Sequence, residues 1–179
     1  MSKSANRLQL LSLLPVLLLL ISCSSYNPSD FTAILDASSV QNSRLENNVY
    51  VLEVSADTGK IPNALGGLSF KEKSSIAPSM KAGLENTLDF RGYLAADRQA
   101  NVQVKAEFVS YQTGGSFGRL TVSVKMRFTI KTFGETEIIE LTGSDEVPLG
   151  LGKEQNQIIG FGNAVANCFE ALILHLEKQ

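Results

Sequence analysis

Hydrophobic and polar positions change period several times along this chain, and each change marks an element. Val49 to Ser55 (VYVLEVS) is a short β-branched and aromatic run behind the polar Glu46-Asn47-Asn48, predicting a strand largely buried on both faces. Asp57 to Ser69 holds Gly59, Pro62, Gly66 and Gly67 and reads as a loop. From Ser74 to Tyr93 the period becomes helical: Ile76, Met80, Leu84 and Leu88 recur every four residues on one face, with Lys81, Glu85 and Asp89 on others. Ser74 or Ser75 is expected to cap this helix, Pro78 to fall within its first turn, and Gly92 to supply a left-handed exit, while Gly83 weakens the middle.

Beyond the helix the period drops to two. Asn101 to Val109 sets Val102, Val104, Ala106 and Phe108 against Gln103, Lys105 and Glu107. Leu120 to Lys131 alternates more regularly still, with Leu120, Val122, Val124, Met126, Phe128 and Ile130 on the apolar side. Gly114, Gly115 and Gly118 predict a hairpin between these runs, and a second hairpin around Gly134 leads to a strand from Thr136 to Thr142. The three strands form an antiparallel meander. Gln157 to Glu177 closes the chain as a helix whose stripe is Ile158, Phe161, Val165, Cys168, Phe169, Leu172 and Leu176. The order β-α-β-β-β-α, with one polar sheet face, predicts an α+β two-layer sandwich: a mostly antiparallel sheet with both helices on its other face. Phe31 to Val40 shows no clear period; packing along a sheet edge is one option.

The first residues have a different logic. Lys3 and Arg7 precede an apolar run from Leu10 to Ile21, interrupted only by Ser12 and Pro15, as in a secretion signal. Its 12 residues fall short of the roughly 20 that a spanning helix needs. The run ends in Leu20-Ile21-Ser22-Cys23, which resembles a bacterial lipobox: a branched apolar residue at −3, a small residue at −1, then the cysteine. That resemblance implies cleavage before Cys23, a diacylglyceryl thioether on its sulfur and, in many bacteria, a further acyl chain on its freed amine. Acyl chains hold a protein on a bilayer without a spanning helix, at about 0.8 kcal/mol per buried methylene. Asp directly after the lipidated cysteine is associated with inner-membrane retention in such lipoproteins. Ser24 stands here, so the periplasmic face of the outer membrane is expected. The expected organisation is a signal at 1–22, a lipidated flexible tether at 23–30 rich in Ser, Asn and Pro, and one α+β domain at 31–179.

Composition narrows the function. With 44% hydrophobic and 19% charged residues the chain can bury a core, which excludes wholesale disorder. Its 16 basic and 18 acidic residues give a net charge of −2, and loss of Lys3 and Arg7 with the signal takes it to −4. There is no cationic surplus for a phosphate backbone, so no nucleic-acid partner is expected. With Cys23 committed to lipid, Cys168 has no intrachain disulfide partner and reads as a small core residue. His175 flanks the last helix's apolar stripe without a second histidine and reads as a helix-end or packing group. Asp36, Asp57, Asp89, Asp97 and Asp145 show neither paired-carboxylate nor calcium-loop spacing and read as surface or turn residues. Gly114-Gly115-Ser116-Phe117-Gly118 lacks the Lys-Ser/Thr of a phosphate loop. Gly150, Gly152, Gly160 and Gly162 precede or open the last helix and read as a cap. Lys125, Arg127 and Lys131 lie on the polar side of the longest strand, as a solvated row or a surface for acidic partners. No catalytic residue, metal or cofactor is expected.

Ile76 to Tyr93, with Leu84, Leu88 and the closing Arg91-Gly92-Tyr93, followed by alternating strands and a final helix behind a lipobox, resembles the YajG family of small bacterial lipoproteins. LptE-like and transport-auxiliary lipoproteins share the helix-on-sheet plan. The pattern spans about Val49 to Leu176 and departs from the family in the Gly-rich 57–69 loop and at Val147 to Gly152. The resemblance implies no catalytic residues and transfers only the lipid attachment at Cys23. The expected function is a noncatalytic lipoprotein whose sheet face, edge or loops contact an envelope protein or a second copy. The alternative is a carrier of an amphiphile, or an accessory subunit of an envelope transport system, with an apolar pocket lined by Met80, Leu84, Phe128 and Leu172.

Overall fold

The computed structural model describes residues 31–33, 42–57, 59–60, 70–150 and 153–179, without the side chains of 70–72 and 153–154. The expected signal and tether, Cys23, Asp36, Gly152 and much of the 57–69 loop lie outside the described residues. The elements are β1 (Val49–Ala56), α1 (Phe70–Phe90), β2 (Val102–Ser116), β3 (Arg119–Thr132), β4 (Glu135–Pro148) and α2 (Lys153–Leu176), the predicted order. They build one sheet in the order β1-β2-β3-β4. β1 and β2 are parallel, joined through α1, and the β2-β3-β4 meander is antiparallel.

Alternation decides which face the helices take. Val104, Phe108, Val122, Val124, Met126 and Phe128 point from the sheet into one buried cluster with Met80, Leu84, Phe161, Phe169 and Leu172. Phe169 meets Phe128 edge-on at 6.4 Å between centroids. α2 contains a stretch, Gln155–Leu176, long and apolar enough to cross a membrane, yet more than half of it is buried inside this fold.

Several boundaries differ from expectation for identifiable reasons. α1 starts at Phe70, so Ser74 and Ser75 are interior residues and not caps, and Pro78 stands inside the helix, where its missing N–H removes an intrahelical bond. The exit is as expected: Gly92 takes φ 73°, and Tyr93 N–H donates to the Leu88 carbonyl at 2.8 Å. β1 is an edge strand buried on one face through Val49, Val51 and Val54, with a register shift between Val51 and Glu53. β2 runs seven residues past Val109. A register shift between Phe108 and Ser110 breaks its alternation and then turns Tyr111 toward Phe161, at 5.9 Å between ring centroids. Gly114 and Gly115 are therefore strand residues, and the turn is only Phe117-Gly118, with Gly118 at φ 81°. Phe133-Gly134 repeats that two-residue turn at the other end of β3, with Gly134 at φ 82°.

β4 continues to Pro148 through Gly143, where α2 crosses so closely that a β-carbon would lie inside the Ala164 carbonyl oxygen and 2.8 Å from the Cys168 nitrogen. Gly83 plays the same part in α1. Phe31 packs over it, against the helices and not along the sheet edge, and a β-carbon there would stand 2.6 Å from the Phe31 β-carbon. The buried Thr87 hydroxyl donates to the Gly83 carbonyl at 2.8 Å and accepts from Ala33 N–H at 3.1 Å. This clamps the segment entering the domain.

Candidate functional site

The sheet face away from the helices is polar and lined with matched charges. Cross-strand pairing brings Arg127 between Glu107 at 3.1 Å and Glu140 at 2.9 Å, with Lys125 3.7 Å from Glu140. Lys105 meets Glu53 at 2.8 Å, and Arg119 meets Glu146 at 3.0 Å. The Arg127 guanidinium, by hydrogen bonding and charge, holds the Glu140 carboxyl below its ordinary range, and Glu140 and Glu107 in turn raise Arg127 above its own. The predicted basic row thus has two of its three members, Lys125 and Arg127, neutralised by acidic neighbours, a solvated lattice of modest energy. Lys131 is exposed near the end of β3.

A second polar cluster ties the chain's last residues to the fold. His175 Nε2 lies 3.0 and 3.1 Å from the two Glu137 carboxylate oxygens, and Gln179 Nε2 donates to Glu137 at 2.6 Å. The hydrogen bond from His175 leads the causes that lower the Glu137 pKa. On the far side of α2, the buried Arg91 guanidinium meets Glu177 at 3.1 Å. Tyr93 Oη donates to Glu177 at 2.9 Å and accepts from Asn42 N–H at 2.9 Å. Burial, offset in part by that Asn42 hydrogen bond, raises the Tyr93 pKa. The sequence marks Arg91-Gly92-Tyr93 only as a helix ending; its ionic partner, 86 positions downstream, is invisible to local pattern.

The remaining predicted positions take structural roles. Cys168 is buried, its Sγ–H donates toward the Val124 carbonyl at 3.4 Å, and burial pushes its pKa up to about 12. Asp57 and Asp97 accept from the backbone N–H groups of Gly59 and Gln99, at 2.9 and 2.8 Å, as turn residues do. Asp89 is exposed at the end of α1, and Asp145 accepts from Asn163 at 2.8 Å. Gly160 lets α2 approach Val122 and Val147. Among the described residues no three His, Cys, Asp or Glu side chains group as a metal site. Met80, Leu84, Phe128 and Leu172 are fully buried within the single core. An open surface hollow of about 540 Å³ lies elsewhere, with Leu45, Val102, Phe133 and Leu176 among its lining.

Among the described residues, large apolar side chains are exposed on the helices at Phe90, Ile159 and Leu174, within β4 at Ile138, and at the sheet's two ends. Phe117 and Leu149 stand at one end, where Leu149 N–H donates to the Gly118 carbonyl at 2.9 Å, and Phe133 stands at the other. No protein-family model matches the chain, and no curated protein does. Solved structures do share its fold. Protein XCC0632 from Xanthomonas campestris, of family DUF330, is 10% identical over 84% of this chain and 92% of its own, with a TM-score of 0.55. The hypothetical protein CT253 from Chlamydia trachomatis (13% identity, 72% of this chain and 94% of that one, TM-score 0.47) is more distant in shape. So is a minor lipoprotein from Acinetobacter baumannii (12% identity, 74% and 94%, TM-score 0.45). At these identities the likeness is one of fold, and the Xanthomonas protein carries it.

Proposed function

We propose that this chain is a noncatalytic lipoprotein of the bacterial cell envelope, anchored through acyl chains on Cys23 at the periplasmic face of the outer membrane. It works by contact with an envelope protein or with a second copy of itself. The observation that carries the reading is Leu20-Ile21-Ser22-Cys23 at the end of a basic-then-apolar leader, followed by Ser24. The YajG-like pattern from Ile76 to Tyr93 supports it. The distribution of chemistry is consistent with it: Lys125 and Arg127 on the sheet face are matched by Glu107 and Glu140, and the four residues expected to line a carrier pocket are packed in the core.

Metabolic labelling with a palmitate analogue tests the anchor. The label is expected on the wild-type protein and absent from Cys23→Ala, and label retained in that variant refutes the assignment. Membrane fractionation tests the compartment: wild type is expected with the outer membrane, and Ser24→Asp with the inner. Crosslinking the intact lipoprotein in its envelope then identifies the contact.

A further inference from the structure

Phe117 is the most exposed large apolar side chain among the described residues, held at the corner of a turn that leaves its ring no cover. Leu149 accompanies it: it is hydrogen-bonded to Gly118, and its Cδ1 lies against Gly115. The pair forms a small apolar prow at the end of the molecule where β2 and β4 finish and β3 begins.

The path of the chain relates this prow to the bilayer. Phe31 sits over Gly83, Ala33 is bonded to Thr87, and Asn42 is bonded to Tyr93 beyond the end of α1. Tyr93 in turn joins the start of β1, at the sheet end that carries Phe133. The segment therefore enters the domain travelling from the Phe117 end toward the Phe133 end. Cys23 precedes Phe31 by eight residues, a reach of about 27 Å when extended. From Gly83 back to the start of α1 is 13 residues, or about 20 Å. Val124 pairs with Tyr111, whose ring neighbours that of Phe161, itself beside Phe31; from Val124 to the start of β3 at Arg119 is five residues, or about 17 Å, and Phe117 lies in the turn beyond. At full extension those eight residues are long enough to bring a lipid on Cys23 to the plane of the prow.

We propose that Phe117 and Leu149 seat in the boundary between headgroups and acyl chains of the phospholipid bilayer that holds Cys23, so that the domain stands upright with Phe133 pointing away. Apolar side chains a few ångströms into that boundary add burial to an acyl anchor. The inference rests on the lipoprotein reading and adds an orientation to it.

The chain contains no tryptophan, so Phe117→Trp and Phe133→Trp each introduce a single tryptophan at an exposed tip, which is excited at wavelengths where the four tyrosines do not absorb. The full-length lipidated variants are reconstituted into protein-free phosphatidylethanolamine/phosphatidylglycerol vesicles, with or without brominated acyl chains. F117W emission is expected to shift to the blue and to lose much of its intensity to the bromines; F133W emission is expected to stay water-like. Emission from F117W that stays water-like, or equal quenching of both variants, overturns the proposal. Flotation and intact mass read the anchor separately. A floating, acylated protein with a wet F117W emitter refutes the prow and leaves the anchor standing. A protein that neither floats nor carries acyl mass refutes the anchor, and the prow with it.

Discussion

Replacing Gly143 with Ala sets two effects against each other and so tests the packing directly. In an open strand the change is favourable by about 0.5–1 kcal/mol, because glycine loses more backbone freedom on folding. At Gly143 the new methyl would overlap the Ala164 carbonyl oxygen, with the Cys168 nitrogen at 2.8 Å and the Ala164 carbonyl carbon at 3.1 Å. These are backbone atoms of α2, so no side chain can swing aside; helix and strand must part by about 1 Å. A gap of that size forfeits a quarter to a half of each dispersion contact it opens. The contacts at stake are those of Phe161, Ala164, Val165, Cys168 and Phe169, all fully buried. Overpacking of this kind costs up to about 3 kcal/mol, or roughly 6–12 °C in Tm for a domain of this size. Far-UV circular dichroism during urea and thermal unfolding measures it in the full-length protein. Gly114→Ala is the control: a strand glycine with nothing within 4 Å of its β-carbon position, expected to be neutral or stabilising. Equal stability of G143A and G114A would refute the close-approach explanation.

Gly83→Ala should loosen the Phe31 clamp despite improving helix propensity by about 1 kcal/mol, seen as faster proteolysis beside Phe31, with α1 retained by circular dichroism. Arg91→Ala leaves the Glu177 carboxylate with the Tyr93 hydroxyl but no buried cation and is expected to cost about 3 kcal/mol; in R91M/E177Q, which keeps an acceptor for Tyr93, much of that loss should return, and a double variant as unstable as R91A would contradict the ion-pair account. Because Cys168 is held protonated up to about pH 12 when folded, folding keeps its proton where the unfolded thiol begins to lose it near pH 8.5. Stability should therefore be full below that point and fall by as much as about 1.4 kcal/mol per pH unit above it, a slope that Cys168→Ala removes in urea titrations. Glu137 has the opposite sign: its pKa is lowered, so its contribution stands above the ordinary carboxylate range and disappears as pH drops through the folded value. Glu137→Gln should flatten that acid limb.

The elements were legible where burial and periodicity coincide. β3 alternates without interruption from Leu120 to Ile130 because it is a central strand whose inward face is covered by α2, and α2 shows its stripe because one face meets β3 and β4. Legibility fails where backbone geometry changes the phase. The irregularity at Val109 hides the second half of β2, and Ile138, 63% exposed on an edge strand, sits on the face opposite Ile139. Pro78 read as a first-turn residue because its local preference is real; tertiary packing carries α1 past it.

Glycine is where sequence reading and structure part most sharply. Gly83, Gly114 and Gly143 look alike as interruptions of a periodic run, yet one accepts a strap, one faces open space and one receives a helix. The differences come from segments 52 residues upstream of Gly83 and 21 downstream of Gly143, respectively. The same separation conceals Arg91-Glu177 and the clamp at Thr87, which fasten the first and last described segments to α1. Those fasteners fix where the described part of the entering chain lies, and in the proposed arrangement this decides which hairpin tip faces the bilayer. On the proposed reading, orientation is therefore a property of long-range contacts, whereas anchorage is written in four consecutive residues. A sequence can declare its attachment locally while leaving its posture to the fold.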